Sequence, residues 1–376
     1  MAGIYIHIPF CKKKCHYCNF YSLASNRYFD EIIDAIALEI PQRKNLIGNN
    51  LIESIYFGGG TPSLMGARHL QKIMTAIYQN FTISENAEIT LEANPDDLSI
   101  EKLKAFKENK INRLSIGIQT FNDHELKYLN RTHDAKKAIE SIEMARESGF
   151  NNLTVDLIYG LPDSTSESWS RNLQLIRNLD IPHLSCYALT VEPNTAFEYF
   201  IRKGQLKPPE EELFLNQFEQ LIDFTAANGY EHYEISNFCR NGLYARHNTA
   251  YWFGAPYLGL GPSAHSFDGN SRFWNIAHLK KYMDGIAQNM PVFEQESLTQ
   301  KHRYNEFVMT RLRTFWGIGF ADLQKDFGEE LSGYFFDRLK KYKDSEVLEI
   351  SATHVRLSRK GIFISDNIIS DFFAEE

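Results

Sequence analysis

Short runs rich in β-branched and aromatic residues alternate with amphipathic stretches through the first half of the chain. The six runs cover residues 3–10, 53–60, 88–95, 113–120, 152–160 and 183–190. Apolar residues recur at helical spacing in segments such as 27–40, 135–148 and 210–228. Strands that alternate with helices form a parallel sheet with right-handed crossovers. We therefore predict an α/β fold, either an open doubly wound sheet or a whole or partial barrel.

The last part of the chain has a different pattern. Three predicted helices (299–316, 319–327 and 329–343) precede a short strand pair at 347–357, an arrangement typical of winged-helix modules, many of which bind DNA. From residue 301 to 376, however, 12 lysines and arginines stand against 13 aspartates and glutamates, and the whole chain has a net charge of −8. We therefore expect no nucleic acid as a partner.

These patterns divide the chain into three predicted segments. Residues 1–230 form the domain of alternating strands and helices, 231–290 a linking region that closes it, and 291–376 a mainly helical, winged-helix-like domain. At 43.5 kDa the chain exceeds the size at which one core usually stops growing, so a large domain with a smaller companion is expected.

No segment predicts export or membrane insertion. No apolar run approaches the roughly 20 residues that span a bilayer. The opening residues, MAGIYIHIPF, lack the basic start and the cleavage site of a signal peptide. We expect a cytoplasmic protein without a transmembrane segment.

Three of the five cysteines, Cys11, Cys15 and Cys18, lie in one loop after the first predicted strand. In parallel α/β folds the carboxyl ends of the strands carry the active site. Clustered thiols in a cytoplasmic protein are more often metal ligands or catalytic groups than disulfides. Three thiolates at this spacing can hold a [4Fe-4S] cluster and leave one iron open to an exogenous ligand. The alternative is a structural zinc site completed by His16 or by a distant residue.

Glycines and polar residues stand at the ends of the next strands. FGGGTP (57–62) follows the second strand, where glycines let the backbone approach a ligand closely. Glu92 and Gln119 end the third and fourth strands, and Asp156 lies within the fifth. Converging buried polar groups favour a polar ligand. The alternative is that each satisfies loop backbone groups or an arginine such as Arg131.

The cysteine loop resembles the C-x3-C-x-Φ-C signature of the radical S-adenosylmethionine (SAM) superfamily, where Φ is aromatic, here Tyr17. The resemblance implies a [4Fe-4S] cluster bound by the three cysteines, with S-adenosyl-L-methionine chelating the fourth iron through its amino and carboxylate groups. It further implies that an electron from the reduced cluster cleaves the sulfonium to give methionine and a 5′-deoxyadenosyl radical.

The remaining motifs are similar in order to those of the oxygen-independent coproporphyrinogen dehydrogenase group, over essentially the whole chain. They are YIHIPFC, YFGGGTPS, LEANP, LSIGIQTFN, LNRTH, VDLIYGLP and YALTVEPNT. The resemblance implies a partial (β/α)6 barrel with a smaller C-terminal domain. It also implies ten contacts to SAM: Tyr5, Tyr17, Gly59, Gly60, Thr61, Glu92, Gln119, Arg131, Asp156 and Ala188.

Two departures separate the chain from that dehydrogenase. The dehydrogenase has a fourth cysteine two residues after the third, where this chain has Phe20, and a long N-terminal arm, where this chain has ten residues before Cys11. The segment RHNTAYW (246–252), followed by YLGLGPSAHSF (257–267), instead resembles the H-N-x-x-Y-W region of heme chaperones related to the dehydrogenase.

That second resemblance implies heme binding, with His247 as the candidate axial ligand. Neutral imidazole is a common heme ligand, and the aromatic side chains of residues 251–253 could cover the flat macrocycle. A lone loop histidine is equally compatible with a structural role. His265 and Cys239 are candidates for a second ligand, whereas Cys186 on the sixth strand is expected to be a buried core thiol.

Three functions remain open from the sequence. The first is a heme chaperone that keeps the cluster and SAM and passes heme to an acceptor protein such as a membrane cytochrome, with a peripheral position at the inner membrane. The second is oxidative decarboxylation of coproporphyrinogen III to protoporphyrinogen IX. The third is a radical enzyme acting on RNA or on an unrelated metabolite. An electron donor for the cluster is implied, and the sequence leaves open whether the protein is a homodimer.

Overall fold

The computed structural model describes residues 2–375. Six parallel strands form its centre, and each pairs with the next along the chain. The strands are β1 (Ala2–Ile8), β2 (Ile52–Gly59), β3 (Ile83–Ala93), β4 (Arg113–Gln119), β5 (Asn152–Tyr159) and β6 (His183–Ala188). The helices between them are α1 (Phe29–Arg43), α2 (Ala67–Asn80), α3 (Ile100–Glu108), α4 (Asp123–Tyr128), α5 (Ala135–Glu147) and α6 (Ser166–Asn178). All six predicted strands are confirmed.

Burial explains why the strands and helices alternate. Every residue of β4 is buried, as expected for a parallel strand in the middle of a sheet. The helices cover the sheet with one apolar face each. In α5 this face carries Ala138, Ile142 and Ala145, and Asp134 caps the first turn by accepting a hydrogen bond from the Lys137 amide.

The six-stranded sheet stays open, and residues 231–290 lie on both of its edges. After α7 (Ala196–Arg202) and α8 (Glu211–Ala227), the chain forms β7 (Glu231–Glu234) and β8 (Asn237–Cys239). β8 pairs antiparallel with β6, and β7 pairs antiparallel with β8 at the outer edge. On the other edge β9 (Tyr257–Leu260) pairs parallel with β1. It is extended antiparallel by β10 (His265–Phe267), β11 (Ser271–Asn275) and β12 (Phe293–Ser297). α10 (Leu279–Ala287) connects the last two strands.

α9 (Arg246–Trp252) connects the two edges and packs against the amino-terminal parts of the central strands. The amides of Arg246 and His247 each donate a 3.1 Å hydrogen bond to the carboxylate of Glu88 on β3. At the other end of the sheet, residues from β2 to β6 and from the cysteine loop line a single cavity. The six βα units therefore curve around an interior, and the predicted partial (β/α)6 barrel is confirmed.

The C-terminal part has a core of its own, built on residues such as Tyr304, Leu323, Phe335 and Val355. Its elements are α11 (Gln300–Leu312), β13 (Ile318–Gly319), α12 (Phe320–Leu339), β14 (Leu348–Ile350), β15 (His354–Leu357), α13 (Arg359–Ile362) and α14 (Ser365–Asp371). The predicted helix break near residue 328 is a kink in α12, where Gly328 has φ 72°. The strand pair at 347–357 is β14 and β15, to which β13 adds a third strand. The exact segment boundaries at 231 and 291 stay predictions.

Within residues 2–375, no helix is both long and apolar enough to span a membrane.

A buried carboxylate ties the antiparallel extension to the barrel. Glu39 on α1 is fully buried and accepts hydrogen bonds from the Gly261 amide at 2.8 Å, the Asn275 side chain at 2.7 Å and the Tyr282 hydroxyl at 2.6 Å. Arg43, one turn along α1, lies 3.7 Å away. Burial raises the pKa of Glu39, and these donors oppose that rise.

We expect Glu39→Ala to lower the free energy of unfolding by about 3–5 kcal/mol, because it leaves three buried donors without an acceptor. Urea denaturation followed by circular dichroism measures the effect. Glu143→Ala, which removes an exposed glutamate on α5, should change stability by no more than about 0.5 kcal/mol. Equal stability of the two variants would show that the Glu39 cluster contributes little to the fold.

Candidate functional site

The cavity at the carboxyl ends of the strands, called here the strand-end cavity, has a volume of about 450 Å³. The structure brings twelve predicted site residues to its wall: Cys11, Cys15, Tyr17, Cys18, Gly59, Gly60, Thr61, Glu92, Gln119, Arg131, Asp156 and Ala188. Two predicted residues, Tyr5 and His247, are not part of this wall. Tyr5 lies behind it, with its ring stacked 6.1 Å from that of Tyr56, which does line the cavity.

The three cysteines lie between β1 and α1, each partly buried. The Cys11 amide donates to the Leu23 carbonyl at 3.0 Å, and the Cys18 amide to the Cys15 carbonyl at 3.3 Å, so the loop curls back on itself. Burial raises the pKa of the Cys11 and Cys18 thiols. Among residues 2–375, no three histidine, cysteine, aspartate or glutamate side chains converge closely enough to hold a single metal ion.

His16, one candidate for the fourth ligand of the alternative zinc site, is engaged elsewhere. Its Nδ1 hydrogen-bonds to the Tyr128 carbonyl at 2.9 Å, and its ring packs edge-on against Phe200. The thiols instead have a cationic neighbour, because Arg131 Nη1 lies 3.4 Å from Cys15 Sγ. A guanidinium at this distance stabilises negative charge on the sulfur, as in a thiolate that ligates iron.

The glycines after β2 allow a close approach of two backbones. Gly59 has φ 106°, in the left-handed region that favours glycine. The Gly60 amide donates to the Ile8 carbonyl at 2.8 Å, and a Cβ at Gly60 would lie only 2.6 Å from the Phe10 carbonyl oxygen. The end of β2 therefore packs directly against the start of the cysteine loop.

Two carboxylates extend from the barrel interior into the strand-end cavity. Glu92 accepts a hydrogen bond from the Tyr56 hydroxyl at 2.8 Å, and Asp156 accepts one from Ser115 at 3.1 Å. Burial raises the pKa of Glu92 to about 7 and that of Asp156 to about 6. A cationic ligand in the cavity would therefore stabilise the charged form of each carboxyl.

Arg131 is held firmly at the wall. Its Nη2 donates to Asn94 Oδ1 at 2.8 Å and to the Gly117 carbonyl at 2.6 Å. Gln119, at the end of β4, has φ 70°, a strained conformation for a residue other than glycine and one that is common at ligand sites. The cavity wall thus presents a cation beside the thiols and anions deeper in the barrel.

The sequence interpretation missed two groups that shape this cavity. Tyr56 holds Glu92, and Asn94 holds Arg131. Both stand inside the motifs that were recognised, Tyr56 two residues before the glycines and Asn94 in LEANP. Because side chains alternate along a strand, Tyr56 must lie on the same face of β2 as Gly58, and the sequence alone predicts this. The hydrogen bond from Tyr56 to Glu92 on β3 could not be predicted in this way.

His247 lies on α9 inside the barrel and is only 2% exposed. Its Nδ1 hydrogen-bonds to Ser54 Oγ at 2.8 Å, and its Nε2 to the Tyr251 hydroxyl at 2.7 Å. The ring stacks on Tyr56 with a centroid distance of 5.1 Å. Burial lowers the pKa of His247 to about 3, so the imidazole is neutral. Neither ring nitrogen is free in this conformation.

A second cavity, called here the interface cleft, lies between the HNTAYW segment and the C-terminal helices. Its volume is about 450 Å³, and its wall includes Tyr251, Trp252 and Phe253 on one side and Phe307 and Arg311 of α11 on the other. The three aromatic residues predicted to cover a macrocycle are thus together at this cleft. His247 lies behind this wall, and its Nε2 is hydrogen-bonded to the hydroxyl of Tyr251, which does line the cleft.

The candidates for a second heme ligand lie elsewhere. Cys239 is buried within β8, and His265 is exposed on β10 with its ring 6.4 Å from that of Trp274. Neither lines the strand-end cavity or the interface cleft. Cys186 is buried in the main core, as predicted.

Comparison with protein families gives two matches. Residues 5–176 match the Radical SAM superfamily, and residues 298–364 match the HemN C-terminal domain.

Several relatives of similar length carry the name heme chaperone HemW. The Bacillus subtilis protein is 35% identical over the full length of both chains. The Lactococcus lactis protein is 31% identical over 99% of this chain and 97% of its own. The Buchnera aphidicola protein is 39% identical over 98% of each chain.

Among solved structures, coproporphyrinogen III oxidase (HemN) from Escherichia coli, described as a radical SAM enzyme, superposes with a TM-score of 0.86. It is 24% identical over 99% of this chain and 90% of its own, a likeness that concerns the fold.

Proposed function

We propose that this chain, which belongs to the HemW family of heme chaperones within the radical SAM superfamily, binds heme and passes it to an acceptor protein. The chain would hold a [4Fe-4S] cluster and SAM in the strand-end cavity. The observation that carries this proposal is the family match over the full length, together with the two separate cavities. One cavity has the groups for a cluster and a charged cofactor, and the other has an aromatic wall.

Cys11, Cys15 and Cys18 are the proposed cluster ligands. All three line one cavity, with the Arg131 guanidinium at Cys15 and the glycines after β2 packed against their loop. Together with SAM, a bound cluster supplies one-electron reductive cleavage of the sulfonium. Arg131 would stabilise negative charge at the cluster sulfurs, and the glycines let β2 pack closely enough to support the cysteine loop.

The proposed SAM contacts are the ten residues implied by the sequence resemblance. Nine of them line the strand-end cavity, and Tyr5 supports it from behind Tyr56. SAM carries an ammonium, a sulfonium and a carboxylate. Glu92 and Asp156 are suited to the positive groups or to ribose hydroxyls, whereas Arg131 and Gln119 are suited to negative or polar ones. This charge separation within one cavity fits a zwitterionic cofactor.

His247 is the proposed axial ligand of heme, and the structure sets a condition on that role. Its Nε2 must first leave the hydrogen bond to Tyr251, whose ring lies between the imidazole and the interface cleft. Rotation of the Tyr251 side chain would expose a neutral imidazole, which is the ligating form. Tyr251 is itself a group that can ligate iron as its phenolate, but burial raises the pKa of its hydroxyl well above the usual value and opposes that form.

The partners remain part of the proposal. The acceptor would be a heme protein such as a membrane cytochrome, and an electron donor would reduce the cluster. We place the protein in the cytoplasm and, when it meets a membrane acceptor, at the membrane surface.

Phe20, which stands where the dehydrogenase has its fourth cysteine, is 64% exposed at the strand-end cavity and offers no thiol there. Decarboxylation of coproporphyrinogen III is therefore not proposed.

We expect Cys15→Ala to lose the brown absorption of the cluster while keeping its far-ultraviolet circular dichroism, because two thiolates cannot retain the cubane that three hold. Iron and sulfide analysis of anaerobically reconstituted protein measures this. Cys186→Ala, which removes a buried core thiol, should keep the full iron content. Stoichiometric zinc in the native protein would contradict the cluster assignment.

The raised pKa of Glu92 predicts a pH dependence of SAM binding. With a pKa of about 7 the carboxyl is protonated below neutral pH and ionised above it. A cationic ligand prefers the ionised form, so the affinity should fall by up to about tenfold per pH unit below pH 7. Calorimetric titration of the reconstituted protein between pH 6 and 8 tests this. Glu92→Gln should bind more weakly, with a profile that is flat above pH 7 and falls only near pH 6, where Asp156 titrates, and Glu143→Gln should keep the wild-type slope. A wild-type slope between pH 7 and 8 in Glu92→Gln would place the titrating group elsewhere.

Heme titration beside an anaerobic turnover assay tests the function itself. The reconstituted protein should give a Soret band on addition of heme and release no carbon dioxide from coproporphyrinogen III. Turnover of coproporphyrinogen III would contradict the chaperone assignment and identify the protein as a dehydrogenase.

The same titration identifies the axial ligand. His247→Ala should lower heme affinity at least about tenfold, and added imidazole should restore the spectrum. Tyr251→Phe frees Nε2 and should leave the affinity equal or higher. The reverse pattern, loss in Tyr251→Phe with retention in His247→Ala, would make Tyr251 the ligand.

A further inference from the structure

The interface cleft is formed by two parts of the chain that are distant in sequence. One wall comes from the end of α9 and from β9 to β11, and the other from α11 and α12. Contacts beside the cleft hold the two walls in place. Arg272 on β11 pairs with Glu306 on α11 at 2.7 Å, and the Leu298 amide donates to the Asn270 carbonyl at 3.0 Å. The cleft is therefore a defined feature of the fold, bounded by the C-terminal domain.

Arg311 is one of three arginines that line this cleft, with Arg272 and Arg303, and it stacks on aromatic rings of both walls. Its guanidinium carbon lies 4.0 Å from the ring centroid of Phe253 and 5.3 Å from that of Phe307. Within the part of the chain that the structure describes, no carboxylate lies within ion-pair distance of Arg311, in contrast to Arg272. Burial lowers the pKa of Arg311, and Asp322 and Asp326, of which Asp326 also lines the cleft, oppose that shift from beyond ion-pair distance. A partly desolvated cation without a direct partner is costly unless an anion joins it.

A second group in the cleft also lacks a partner. The indole Nε1 of Trp252 is buried and makes no hydrogen bond to the described residues. Aromatic rings from both walls, among them Trp252, Phe253 and Phe307, provide flat apolar surface next to these polar groups. A ligand that fits both properties has a planar aromatic body and at least one carboxylate.

We propose that a porphyrin occupies the interface cleft and that Arg311, from the C-terminal domain, binds one of its propionate carboxylates. This inference rests on the proposed heme-binding function and adds the place, the orientation and a recognition residue. The macrocycle lies against the aromatic walls, with its centre toward Tyr251 and, behind Tyr251, His247. The C-terminal domain is thereby part of the heme site.

Iron-free porphyrins test the role of Arg311 separately from metal ligation. Fluorescence titrations compare protoporphyrin IX with its dimethyl ester, which keeps the ring and lacks the carboxylates. Wild-type protein should bind the free acid about 10- to 100-fold more tightly than the ester, the range expected for a charge-assisted hydrogen bond. Arg311→Gln should reduce this preference about tenfold by weakening only the binding of the acid, and any preference that remains is attributed to Arg272 and Arg303 in the same wall. Arg311→Lys should retain part of the preference.

Arg338→Gln is the matched control, because Arg338 also stacks on a ring of the C-terminal domain, 5.0 Å from the Tyr334 centroid, and does not line the cleft. It should keep the wild-type preference. Unchanged affinity of Arg311→Gln for the ester shows that the variant is folded. A wild-type preference that survives in Arg311→Gln, or a wild type without any preference, would overturn the inference while heme binding stands. Failure of wild-type protein to bind either porphyrin or heme would overturn the proposed function as well.

Discussion

The parallel pairing of β1 to β6 is the constraint on which the rest of the structure depends. Because each strand runs in the same direction, all six carboxyl ends and the loops that follow them meet at one edge. Residues as distant in sequence as Cys11, Glu92 and Asp156 therefore line one cavity. The barrel also stays open, and its two edges are completed by strands from residues 231–297. α9, which runs between those edges, places His247 inside the barrel.

α9 places His247 between the strand-end cavity and the interface cleft. Tyr56 donates a hydrogen bond to Glu92 in the strand-end cavity and stacks on His247, whose Nε2 bonds to Tyr251 at the interface cleft. The contacts are continuous, so a movement of His247 displaces side chains that line both cavities. Glu88 accepts hydrogen bonds from two amides of α9 and so holds the helix in place. Rotation of side chains on α9 therefore costs less free energy than movement of the helix.

Local pattern was sufficient for the central fold because periodicity and burial agree in this part of the chain. Six β-rich runs became six strands, and even the break at Gly328 was visible in the sequence as a glycine between two helical stretches. The short strands β7 to β12 were not predicted individually. They have only three to five residues each, and they form because an open sheet edge is next to them, which is information that no local window contains.

The sequence by itself determined the chemistry of the strand-end cavity, since the spacing of Cys11, Cys15 and Cys18 and the position of polar residues at strand ends are local properties. Tertiary structure decided what surrounds those groups. It placed the neutral His247 behind Tyr251, with both ring nitrogens bonded, and it placed Arg311 across a cleft from Phe253. Burial and pairing depend on chain segments that meet only after folding, so no motif could show that Arg311 has no carboxylate within ion-pair distance among residues 2–375.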